Sequence, residues 1–149
     1  MRKRITPGDV VEVRLSDTTH SYARVLTHAS YGFYDFCGAE EPDLQRIVEL
    51  PIIFFAAVRD SAVKSGRWPI RGHVPLDGKL VPPPKFIQDP LQPNSFSIYQ
   101  NDGTISEASR SQCVGLERAA VWDPEQIEDR LQDHFAGRSN KWLDLMKMK

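Results

Sequence analysis

The chain has 149 residues, 40% of them hydrophobic and 26% charged, which is long and apolar enough for one domain with a buried core and too apolar for a chain disordered throughout. Nineteen Lys and Arg against twenty Asp and Glu give a formal charge of −1, so no whole-chain field favours nucleic acid or an anionic membrane. The longest apolar run, Leu50 to Val58, contains Pro51 and falls far short of the ~20 residues that span a bilayer, and the basic start (Arg2, Lys3, Arg4) precedes no apolar segment, so a cytoplasmic protein is expected.

Taken in chain order, the first half reads as strands. Pro7-Gly8-Asp9 is a turn, after which Val11, Val13 and Leu15 share one face with Glu12 and Arg14 on the other, the two-residue period of a half-buried strand. Ser16 to Thr19 makes a second turn. Tyr22 to Leu26 and Tyr31 to Cys37 are short and rich in aromatic and branched residues, so three strands form a meander, a small bent sheet or barrel. Gly38 to Glu49 is acidic and reads as a solvated loop, and Ile52 to Val58 as a central strand buried on both faces. Asp60 to Ser65 fits one helical turn closed by Gly66.

Most of the eleven prolines fall between Trp68 and Pro93, three of them consecutive at Pro82 to Pro84, so regular pairing is interrupted there. Trp68, Ile70, Phe86 and Ile87 make this stretch too apolar for a linker, and it is expected to wrap the core. Ser95 to Tyr99 and Thr104 to Ala108 flank Asp102-Gly103, a hairpin signal. Cys113 to Trp122 suggests an irregular strand. The clearest helix runs from Pro124 to Ala136, with Asp123 as N-cap, Gln126 completing a capping box and Gly137 closing it. Ile127, Leu131 and Phe135 form its apolar stripe, with Glu128, Asp129 and Asp133 facing water, and Asn140 caps a last short helix. The fold class is therefore α+β, one domain over 1–149: a bent antiparallel sheet, SH3-like or a small barrel at the N-terminal end, with a Pro-rich wrap and a C-terminal helix.

Candidate chemistry is sparse. His20, His28, His73 and His134 are the only side chains with unperturbed titration near neutrality, and none sits in a motif. There is no HxH, HExxH or CxxC and no glycine-rich phosphate loop, so catalytic, cofactor and metal residues are all assigned as none. Cys37 and Cys113 read as buried structural thiols, with a single bridge between them the alternative. Charge is segregated: residues 35–60 hold six acids and two bases, whereas 61–90 hold five bases and two acids. That slope suits a charged protein partner. The partner-binding candidates are Asp35, Glu40, Glu41 and Asp43 on the acidic loop, with Trp68 and Arg71 on the wrap.

The ordered set PGDVVEVRLSD, YARVL, GFYDF, GRWPIRGHVPL, PPPKFIQDP and GLERAAVWDPEQIEDRLQDHFAG resembles the immunity protein 26 family of bacterial polymorphic toxin systems nearly end to end. The resemblance implies a small cytoplasmic protein that binds and neutralises a cognate toxin without catalysis, with no nucleic-acid or membrane partner, as a monomer or weak dimer. Two rivals come from other classes: a protein-binding adaptor outside toxin systems, and a small-barrel endoribonuclease using His20, His28, His73 or Arg71.

Overall fold

The computed structural model describes residues 4–149, so the Arg2 and Lys3 of the basic start lie outside the described residues. Strands β1 (Asp9–Arg14), β2 (His20–Val25) and β3 (Ser30–Tyr34) form the expected antiparallel meander, and β4 (Ile52–Val58) extends it by pairing with β3. Ser16 closes the first turn by accepting the Thr18 and Thr19 N–H groups on Oγ. The second turn is tighter: His28 and Ala29 both take left-handed φ, 57° and 59°, and the turn is closed by Leu26 N–H donating to Ser30 O and Ser30 N–H to Thr27 O.

The sheet has six strands in the order β5-β1-β2-β3-β4-β9, where β5 is Ile70–His73 and β9 is Val121–Trp122. No pairing joins β5 to β9 among the described residues, so the sheet is open and bent rather than a closed barrel. The β4–β9 contact is parallel, which makes the sheet mixed. One face carries the main core, in which Val11, Val13, Phe33, Ala56 and Val58 pack under α2 (Ser61–Lys64), α4 (Pro124–Ala136) and α5 (Lys141–Leu145). Trp68 lies at its centre, fully buried, edge-on to Tyr31 and Phe33.

The other face is not solvated, contrary to the alternation in β1. Val10, Tyr22 and Tyr34 pack there against Ile47 of α1 (Leu44–Val48), a helix absent from the sequence reading, which took this acidic stretch as a loop. Asp43 is its N-cap, accepting the Arg46 N–H at 2.9 Å. Covering both faces explains why Glu12 and Arg24 are buried. Arg24 satisfies itself on oxygens without a carboxylate: Nε donates to Gly8 O (2.9 Å), Nη1 to Tyr34 Oη (3.1 Å), and Nη2 to the Val74 and Pro75 carbonyls of the wrap. Strand β4 departs from its expected double burial: Phe54, Ala56 and Val58 are buried while alternate residues are half-buried, because only the two-residue β9 lies beyond it.

The wrap itself carries β5 and then β6 (Lys85–Gln88), strands that the proline density concealed. With β7 (Phe96–Tyr99) and β8 (Ile105–Ala108), β6 makes a second, three-stranded antiparallel sheet, its hairpin turning at Gly103 with φ 88° as expected. Phe86, Phe96 and Cys113 form a thin core under α3 (Arg110–Cys113). Residues 114–120 are irregular where a strand was expected. Polar groups join the two sheets: Arg130 of α4 chelates Glu117 at 3.0 and 2.6 Å, Lys85 donates to Phe55 O at 2.8 Å and lies 3.5 Å from Glu117. The Arg130 guanidinium also lies 3.5 Å over the Phe54 ring. Burial alone would raise the Glu117 carboxyl, but the hydrogen bond and charge of Arg130, with Lys85 behind them, hold it below the usual carboxylate range.

Helix α4 has the expected ends, Gln126 Oε1 accepting the Asp123 N–H at 2.9 Å and Gly137 at φ 71°. Ile127 and Leu131 are fully buried. Its acids are engaged rather than free in water: Glu128 accepts from Arg67 and from the Trp68 indole, Asp129 from the Trp142 indole, and Asp133 from Asn140. Asn140 caps α5 as expected.

Candidate functional site

The partner-surface candidates separate into three groups. Arg71 sits on β5, an edge of the main sheet, and its Nε and Nη2 donate to Glu12 Oε1 at 3.2 and 3.0 Å. The arginine side chain is 44% exposed and the glutamate 8%, so a buried carboxylate fixes a guanidinium that solvent and partners can reach. That hydrogen bond, with the charges of Glu12 and Glu41, raises the Arg71 guanidinium above its usual range against the opposing effect of burial.

Glu41 acts on the same spot because α1 lies against β5. Gly72 permits this approach, since a Cβ there would collide with Leu44 Cδ1. The Tyr22 phenol, directly across from Glu12 in the β1–β2 ladder, is raised by burial first and by Glu12 and Glu41 next. Tyr22 Oη shares a hydrogen bond of 2.9 Å with His20 Nε2, and Phe36 lies 5.3 Å from the Tyr22 ring and 5.9 Å from the His20 ring. The result is a pair of half-exposed rings, His20 and Phe36, resting on the buried Tyr22 beside an anchored arginine, with Glu40 and Glu41 exposed at the margin. Rigid aromatic and arginine anchors ringed by charge are what protein recognition uses. A groove of about 500 Å³ continues from Arg71 past Pro69 to Arg67 and Glu128.

Asp35 and Asp43 form the second group. Both are exposed, but Asp43 already serves as the cap of α1, and Asp35 lies past the end of β3 where its N–H donates to Pro51 O. Trp68 stands alone as the third: it is fully buried and has no surface to offer. Its indole N–H on Glu128 at 3.0 Å gives it a core role.

Cys37 is exposed, against the expectation of burial, because β3 stops at Tyr34 and the chain then runs irregularly to the Gly38 bridge with His20. Cys113 is buried, burial pushes its thiol up, and both cysteines are free. His73 pairs with Asp9 at 2.9 Å at one end of β1, whereas His20 stands opposite Arg14 at the other. The acid and base an endoribonuclease would need are therefore not brought together in that pair, and Arg71, its phosphate clamp, is held by Glu12.

Sequence reasoning missed Glu12, Tyr22, His20 and Phe36. The available signal was the run of tyrosines, Tyr22 and Tyr34, on what alternation marks as the solvent face of the meander.

The family model described as Immunity protein 26 matches residues 6–97, from the turn before β1 into β7, and leaves β8, α3, β9, α4 and α5 outside the match. No curated protein and no solved structure matches the chain. With more than half of its length matched, the chain belongs to the Immunity protein 26 family.

Proposed function

We propose that this chain, as one unit over 1–149, neutralises a cognate bacterial toxin in the cytoplasm by forming a stoichiometric complex with it, acting as a monomer or weak dimer and catalysing nothing. Family membership carries the reading. The anchored Arg71 and the half-exposed His20 and Phe36 rings, held from below by the buried Tyr22, supply contacts that lose their water, and Glu40 and Glu41, with Asp35 and Asp43 further out, speed and orient the encounter with a basic toxin surface. Trp68 supports this surface from below only by holding the core. The test is co-expression with the toxin domain encoded by the neighbouring gene. Restored growth and a complex of fixed stoichiometry by light scattering are expected, and toxicity undiminished by excess of this chain overturns the reading. Within that assay, a Glu40→Lys, Glu41→Lys double variant should associate roughly tenfold more slowly at low salt, the deficit shrinking as ionic strength rises. Asp43 is left intact there because its loss would unwind α1.

A further inference from the structure

Among the described residues the small sheet has one unpaired edge, the short strand β8. Its β6 side is closed by the chain itself, since Phe86 N–H donates to Glu117 O and Ala119 N–H to Phe86 O. On the β8 side nothing pairs with the strand among the described residues. Gln100 N–H donates to Thr104 O, so Gln100 and Thr104 form a hydrogen-bonded pair. Alternation along the β7–β8 register makes Ile98 with Ser106 and Phe96 with Ala108 the next such pairs. The N–H and C=O groups of Ile105 and Glu107 consequently point away from the sheet. Both residues are exposed, Ile105 to 57%, and the strand contains no proline, bulge or lysine to repel a neighbour. The edge of the main sheet differs: β5 is bounded by Pro69 and Pro75 and covered in part by Arg71.

We infer that β8 receives an extended segment of the toxin as an added antiparallel strand, one with an apolar residue opposite Ile105 and a lysine or arginine opposite Glu107. An extended polypeptide satisfies outward N–H and C=O groups in register, as one added strand. Charge disfavours the simplest rival, a second copy of this chain. Pairing through the outward residues allows three self-registers. One sets Glu107 against Glu107, one sets Glu107 against Ile105, and one sets Glu107 against Gly103 with Asp102 beside it. None of the three gives Glu107 a basic partner, whereas a lysine or arginine in the toxin segment opposite Glu107 does. The position of β8 beyond the matched span 6–97 gives this contact to the part of the chain that family membership does not specify.

The inference rests on the immunity reading, and amide hydrogen exchange on the complex with the neighbouring gene's toxin domain separates the two. Expected is at least tenfold slower exchange at the Ile105 and Glu107 amides in the complex, with Ser106 changed less because β7 already holds it. Glu107→Pro, which removes an outward N–H without touching the β7 pairing, should weaken the complex at least tenfold. Should that variant misfold, the exchange data on the native chain still decide. A complex in which both amides exchange as fast as in the free protein overturns the inference and leaves the immunity reading standing. Absence of any complex overturns both. Protection that appears in the free protein and grows with its concentration assigns the edge to self-association and also overturns the inference.

Discussion

The two sheets solve the same problem with different materials. The main sheet buries both faces, one under α4 and the other under α1, and its core holds whole aromatic side chains such as Trp68, Phe33 and Tyr34 with no exposure. The small sheet and α3 bury only three apolar residues between them, Phe86, Phe96 and Cys113, and the sheet is tied to the main one by Glu117, Arg130 and Lys85. Apolar burial has no charge to titrate or to screen, whereas a half-buried ion network has both. One molecule thus combines a unit stabilised by packing and a unit positioned by charge, and each can be perturbed without the other.

The largest effect should come from the packed unit. Trp68→Ala removes the centre of the main core and should cost about 3–5 kcal/mol in urea denaturation. A loss under ~1 kcal/mol would mean that Trp68 is not packed as described. Next comes the charged unit: Arg130→Met strands Glu117, and because that side chain retains 35% exposure the expected cost is about 1–3 kcal/mol rather than that of a fully buried pair. Amide exchange should accelerate in β6 to β8 more than in β1 to β4, and equal acceleration would show that the network serves both sheets alike.

Acidity should separate the units further. Glu117 has a folded value below its unfolded one, about 4.3 for a free glutamate, so its contribution is complete above that pH and is lost as pH falls through the folded value. Stability measured from pH ~6 down to ~3 should therefore fall more steeply in the native chain than in Glu117→Gln, and parallel curves would remove Glu117 from the account. The smallest effect is a gain. Ala29 holds φ 59° at no benefit from its side chain, so Ala29→Gly should stabilise the main sheet by about 0.5–1 kcal/mol. A thermal midpoint that drops instead would show that the turn has other support.

The same contrast marks what could be read from sequence. Local signals announced the elements that they control: the Asp123 to Gln126 box, Gly137, the Asp102-Gly103 turn and the alternation of Val11 and Val13 all sit where expected. What failed was long-range. The acidic stretch concealed α1 because Leu44, Ile47 and Val48 gain their partners only from Val10, Tyr22 and Tyr34 on other strands. Prolines hid β5 because its pairing with β1 spans some sixty residues, as Asp9 with His73 shows. For the candidate surface, Arg71, Glu40 and Glu41 were legible as exposed charge, but Trp68 was misassigned: a tryptophan between Arg67 and Pro69 gives no local sign of whether it faces core or partner. The anchor Glu12 was beyond reach for the same reason, since its burial depends on a helix that begins at residue 44.

Arg24 ranks these contacts in time. Its guanidinium grips the Val74 and Pro75 carbonyls across 50 and 51 residues, while the β1–β2 and β2–β3 hairpins close over short loops. Short loops close first, so the grip forms only after the meander presents Arg24 with Gly8 O and Tyr34 Oη already in place. A contact made after the rate-limiting step governs escape from the native state rather than arrival. Arg24→Lys, which cannot reach all of these oxygens, should leave the refolding arm of a chevron nearly unmoved and raise the unfolding arm, making this side chain the latch that sets how long the wrap stays shut.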